Sequence, residues 1–258
     1  MSSPEEELVL EALSASDAQE HGRAFASLRI PSFRWWFFAQ IFSGSGVTAQ
    51  WIGLAWLILM VLHGGGLALG AVSAVTFTPV LLGSAWAGAY LQHVDTRRTL
   101  IATQIAAATV ATTLGVLVAS GAARLWMVFV LALANGCVSA FDAPARQLYV
   151  VDLVGRDRVA SAVGLYEVII NASRVIGAAF GGIVLALVGV AACFFVNAAS
   201  YLVPLVVLLR YRPHHDAEER PPRARTGETL HAGLAYVRNT PAVAACLLMA
   251  AVSGMIFN

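Results

Sequence analysis

The chain of 258 residues is 59% hydrophobic and 12% charged, with a mean hydropathy of +0.74, well above the roughly 45–50% apolar content of water-soluble domains. That composition excludes water as the main solvent of the fold. A net charge of +1 excludes a nucleic-acid partner, because no basic surplus exists to displace counterions.

The elements follow in chain order. Residues 1–32 form a cytoplasmic acidic tail, with Glu5, Glu6, Glu7 and Glu11 but neither a basic flank nor a cleavage pattern, so they are not a secretory signal. A helix needs about 20 mostly apolar residues to cross about 30 Å of hydrocarbon. Within residues 33–210 six runs meet that need: Phe37 to Leu62, Leu67 to Leu91, Thr99 to Ala119, Leu125 to Phe141, Val159 to Val188 and Val190 to Leu209. The expected fold class is therefore an all-α membrane protein, a six-transmembrane-helix bundle. Gly44, Gly46 and Gly53 are expected to thin the first helix for close packing, and Gly83 and Gly88 the second. Pro79 and Pro204 each remove a backbone hydrogen bond and should bend the second and sixth.

Residues 211–240 read as a cytoplasmic linker, mixing Pro213, Pro221 and Pro222 with acids and bases. In its second half Leu230, Leu234 and Val237 share a helical face, which suits either a helix lying on the membrane surface or a solvated linker helix. Residues 241–258 read as the start of a seventh transmembrane helix that stops within its span. The expectation is a truncated reading frame or a fragment, with a missing C-terminal half or a second copy as partner.

All 16 basic residues are arginines. Apart from Arg124, and Arg174 inside the fifth run, they lie in the tail or in connections on the N-terminal side of the membrane. The positive-inside rule then puts the N-terminus in the cytoplasm of a multi-pass protein of the cell membrane, with short outer loops near His63, Gly121 and Gly189. Cys137, Cys193 and Cys246 each stand alone in an apolar run, the pattern of small packing residues rather than of a zinc site or disulfide framework. No metal and no cofactor are expected.

An ionisable group inside a bilayer costs roughly 2.5–3.5 kcal/mol on insertion scales, so each needs a reason. Glu167 and Arg174 are seven apart in the fifth run and share a helical side. They read either as a paired or snorkelling charge that fixes helix contacts or as proton and substrate handling, Glu167 being a carboxylate that can exchange a proton. Gln50, Asn135, Asn171 and Asn197 are amides deep in their runs; each either bonds between helices or lines a substrate path. At the cytoplasmic rim Asp142 and Arg146 are four apart, and Asp95, Arg97 and Arg98 share the second connection. Exposed pairs contribute about 0–1 kcal/mol each, enough for a switch between conformers but not for static glue.

Several stretches resemble the major facilitator superfamily. GAYLQHVDTRR at Gly88 to Arg98 is similar to its loop motif between helices two and three, G-x-x-x-D-R-x-x-R-R/K, with Gln92 at the acid, His93 at the first base and Asp95 as the available substitute. DAPARQ and DLVGRDRV, between Phe141 and Val159, resemble the helix four to five region of the drug and siderophore exporter branch, which includes macrolide-efflux and enterobactin-exporter-like transmembrane secretion effectors. GVAACFFVNAASYL at Gly189 to Leu202 and GLAYVRNTPAV at Gly233 to Val243 extend the likeness. RVIGAAFGG at Arg174 to Gly182 is similar to the fifth-helix antiporter motif R-x-x-G-P-x-x-G-G, keeping Gly177, Gly181 and Gly182 with Ala178 at its proline. Ala132 stands where the fourth-helix motif has an embedded arginine, so proton coupling by that route is not implied.

The resemblance implies one six-helix half of a twelve-helix fold, with substrate at the midplane between halves. It brings Gln50, Asn135, Glu167, Asn171 and Arg174 forward as the substrate and proton pathway, and Gly88, Asp95, Arg97, Arg98, Asp142 and Arg146 as the cytoplasmic gate. The implied activity is secondary active transport, proton-coupled efflux of small amphipathic compounds of the drug or siderophore class, in a lipid bilayer. The alternative is an incomplete half-transporter without activity of its own. An intramembrane protease built on Gly44-Ser45-Gly46 lacks a base, since His21, His63, His93, His214, His215 and His231 all fall in loops or tails.

Overall fold

The computed structural model describes residues 26–91, 94–155 and 159–211. The acidic tail, Gln92 and His93, the linker with its amphipathic stripe and the start of a seventh helix lie outside the described residues.

Among the described residues the fold is all-helical, and six helical spans are long and apolar enough to cross a membrane. Helix α1 (Pro31–Trp56) starts on a proline, whose missing N–H is an orphan at that position anyway. It ends in a five-residue π-turn, Leu57–Val61, where the Leu62 N–H reaches the Leu57 carbonyl. Helix α2 spans Gly65–Leu91, α3 Thr96–Ala119, α4 Leu125–Val154 and α5 Val159–Leu187. The sixth crossing is made of two pieces, α6 (Val190–Ser200) and α7 (Leu202–Arg210), interrupted at Tyr201. The amide that Pro204 lacks is the one that would bond the Ser200 carbonyl, four residues back, so the interruption falls where that hydrogen bond is missing, while Tyr201 itself keeps helical dihedrals. On one face the connections turn at His63, Gly121 and Gly189, all with positive φ, which closes them within a few residues.

Helix α4 departs most from the sequence expectation. It was expected to stop at Phe141 but runs for 30 residues to Val154, through Asp142, Pro144 and Arg146. At about 1.5 Å per residue it is about 45 Å long, more than the hydrocarbon core. The charge that made this stretch read as a loop is absorbed inside the bundle.

Helix α1 packs on α5 and α6, α2 packs on α4, and α3 joins α4 to α6. Small residues set the closest approaches. Down the α1/α5 seam Gly44 meets Ser173, Gly177 meets Ser45 and Thr48, and Gly181 meets Ala49, a four-residue spacing that lets backbones touch in lipid. A Cβ on Gly177 would lie 2.5 Å from the Ser45 carbonyl oxygen, and one on Gly181 2.7 Å from the Ala49 Cα. Gly46 and Gly53 likewise let Ser200 and Cys193 of α6 in, and Gly136 of α4 sits against the Thr76 carbonyl of α2. Gly83 makes an ordinary contact with Ala140 of α4, whereas among the described residues Gly88 and Gly182 have nothing within 4 Å of a Cβ position, so the close approach expected at Gly88 is corrected.

Two apolar clusters close the ends of the bundle. Phe33, Trp36, Leu100, Tyr149 and Leu208 belong to one, at the α1 N-terminal face, and Leu57, Ile58, Val72, Val128 and Phe194 to the other. Large apolar side chains such as Leu81, Leu82, Val175 and Leu187 stand outward, each more than 70% exposed. Such a surface would aggregate in water and suits lipid or a further membrane domain.

Candidate functional site

Between the two apolar ends the pairs α1/α5 and α2/α4 part to leave a cleft of about 370 Å³. Its walls come from α1, α2, α4 and α5, with α3 and Tyr201 behind. A larger groove of about 490 Å³ between α3 and α7 is lined by Ile105, Thr109, Val116, Leu202 and neighbours, none of them charged, and reads as a lipid-facing furrow. The chemistry lies in the central cleft.

Its floor is a polar network across three helices. Asp142 of α4 accepts hydrogen bonds from the Thr103 hydroxyl at 2.8 Å and the Gln104 amide at 3.1 Å, both on α3. It also pairs with Arg146 one turn along. The Arg146 guanidinium reaches across the cleft to Gln40 Oε1 on α1. The side chains of the pair are only 15% and 16% exposed, so the expected solvent-exposed rim pair is corrected to a largely buried one. Burying two charges is costly unless further hydrogen bonds complete their shells. Thr103, Gln104 and Gln40 supply those bonds. Gln104 must turn its nitrogen to the Asp142 carboxylate, which leaves its buried Oε1 without a donor among the described residues.

The expected gate does not come together as one cluster. Asp95 caps α3, its carboxylate accepting from the Arg97 and Arg98 amides at 2.9 and 3.3 Å, a bond type that contributes about 1 kcal/mol. Arg97 caps α7, donating to the Leu208 and Leu209 carbonyls at 2.7 and 3.1 Å. Among the described residues the Arg98 side chain makes one exposed 3.6 Å pair, with Asp95. These charges tie helix ends at the rim, whereas Asp142 and Arg146 act within the bundle.

The expected pathway also divides. Asn135 and Arg174 line the cleft. Gln50 instead accepts from the buried Asn197 amide at 2.6 Å, an α1–α6 tie. Asn171 donates at 2.9 Å to the Glu167 carbonyl of its own helix. On α5 the cleft face is Tyr166, Ile169, Ile170, Ser173 and Arg174. At about 100° per residue Glu167 and Asn171 fall further round the helix than Arg174, on its exposed flank. Among the described residues no ion pair joins Glu167 to Arg174. The sequence reading missed Gln40, Thr103 and Gln104, although an amide inside an apolar run such as WWFFAQIF is the same signal that singled out Gln50.

A family profile, transmembrane secretion effector, matches residues 22–257. The chain belongs to the transmembrane secretion effector family of the major facilitator superfamily. This membership makes it a multi-pass membrane protein of a transporter family rather than an enzyme. The chain is also 33% identical over 159 residues to the Staphyloferrin A transporter of Staphylococcus aureus, covering 61% of this chain and 40% of that protein. It is 27% identical over 134 residues to the uncharacterized MFS-type transporter YfiS of Bacillus subtilis, covering 50% of this chain and 32% of that one. The matches thus span less than half the length of either relative. No solved structure matches the chain.

Proposed function

We propose that the gene product is a secondary active exporter of small amphipathic compounds of the siderophore or drug class, driven by protons. The observation that carries this reading is the acid–base pair Asp142–Arg146 on the cleft floor, hydrogen-bonded to three other helix positions. The pair links α4 to α3 through Thr103 and Gln104 and to α1 through Gln40, so a change in its pairing and a change in the cleft share one set of contacts. The family match and the Staphyloferrin A transporter likeness support the substrate class. The open side of the cleft and the outward apolar faces of α2 and α5 suit closure by a second six-helix half, from the same polypeptide or another copy.

Export is tested in cells expressing the gene, by following efflux of a fluorescent dye and of a macrolide, with and without a protonophore. Asp142→Asn is expected to lower proton-driven efflux at least about tenfold, and Glu167→Gln to leave it within about twofold. Efflux that ignores the proton gradient, or none of any compound, sinks the reading. Direction depends on the N-terminus being cytoplasmic, which the arginine distribution supports. A cysteine placed at Arg124 should then react with an impermeant thiol reagent from outside the cell, and one placed at Arg98 should not. The reverse pattern would invert the topology.

A further inference from the structure

We infer that the compound bound in the cleft is an anion, with Arg174 as its charge-recognising residue and the Trp51–Phe77 pair as the platform for its apolar body. This deepens the transport reading and rests on the cleft being where the transported compound binds.

The argument begins with the charge balance of the cleft. Its charged side chains are Asp142, Arg146 and Arg174. Asp142 and Arg146 pair with each other, so the positive charge of Arg174 is left over. Arg174 has no hydrogen bond or ion pair among the described residues, and its side chain is exposed. It sits near the middle of α5, Val159–Leu187, about 20 Å from either end at about 1.5 Å per residue. Long side chains snorkel to the interface only from near helix ends, so the snorkelling reading does not apply. A cation at that depth needs a counter-charge, and the cleft wall supplies none that is free.

The apolar part of the site is equally specific. Trp51 of α1 and Phe77 of α2 both line the cleft, with ring centroids 6.3 Å apart and planes within 10° of parallel. They form a flat wall between the helix pairs. Arg174 supplies a planar fork of donors suited to a carboxylate, and the rings supply stacking surface. A compact carboxylate with a flat apolar body satisfies both, whereas a lipophilic cation would meet the like charge of Arg174.

The test uses the full chain in lipid nanodiscs and two probes of one shape, 2-naphthoate and its uncharged analogue 2-naphthamide, with affinities read by equilibrium dialysis against empty nanodiscs. Naphthoate is expected to bind at least about tenfold more tightly than the amide. Arg174→Gln should erase that preference while leaving amide affinity unchanged, and Arg174→Lys should keep part of it. Trp51→Ala should weaken both probes by a similar factor. Arg174 makes no hydrogen bond or ion pair among the described residues, so its variants should keep the wild-type melting temperature. Equal affinity for the two probes, no binding of either, or a preference that survives Arg174→Gln overturns the inference. Charge preference without efflux in cells would sink the transport reading alone, and efflux without charge preference would sink this inference alone.

Discussion

Replacing Asp142 by alanine is expected to destabilise the bundle by about 3–5 kcal/mol, the range for removing one partner of a buried ion pair. The cause is the guanidinium left behind. Arg146 would keep only its contact to Gln40, and the Thr103 hydroxyl and Gln104 amide would lose their acceptor. The Asp142→Leu and Arg146→Met double variant should recover most of the loss, because no unpaired charge then stays inside. Thermal melting in detergent or denaturation in SDS micelles reads both. A loss under about 1 kcal/mol for the single variant would mean that water reaches the pair and that it behaves as a surface salt bridge.

Adding one methyl group to Gly177 is expected to cost about 1–3 kcal/mol or more. Its Cβ would sit 2.5 Å from the Ser45 carbonyl oxygen and 2.9 Å from the Ser45 Cα. Both are backbone atoms, so α1 and α5 must separate along the whole seam. Gly182→Ala is the matched control, five residues on in the same helix with open space at the Cβ position. It should be neutral or gain up to about 1 kcal/mol, since alanine forms helix better than glycine. Melting both variants in one detergent decides the point. Equal effects would show that the seam is looser than these distances state.

The contrast between Gly177 and Gly182 also shows where sequence reading stops. Both sit in one motif, and the spacing Gly177, Gly181 announces a close helix contact. Nothing local says which of two adjacent glycines, Gly181 or Gly182, turns towards α1, since a helix rotates by about 100° per residue. Glu167 raised the same difficulty. Its separation from Arg174 puts both on one broad side of α5, yet the cleft edge falls between them. Gln50 read as a pathway candidate and proved to be half of an α1–α6 hydrogen bond with Asn197, 147 positions away. Asp142 and Arg146 read as surface charges because charge near a helix end is usually solvated. Their burial depends on Thr103, Gln104 and Gln40 arriving from other helices.

The sequence by itself determined the solvent, the number of crossings among residues 33–210 and the places of the short turns at His63, Gly121 and Gly189. These follow from hydropathy and spacing, which are local and additive along the chain. Tertiary structure alone decided that α4 continues past Phe141, that Arg97 caps α7 rather than joining a latch, and that Gln40, Asp142 and Arg146 meet on the cleft floor. Those outcomes depend on how far each helix is rotated about its axis, a quantity set by contacts between residues remote in sequence.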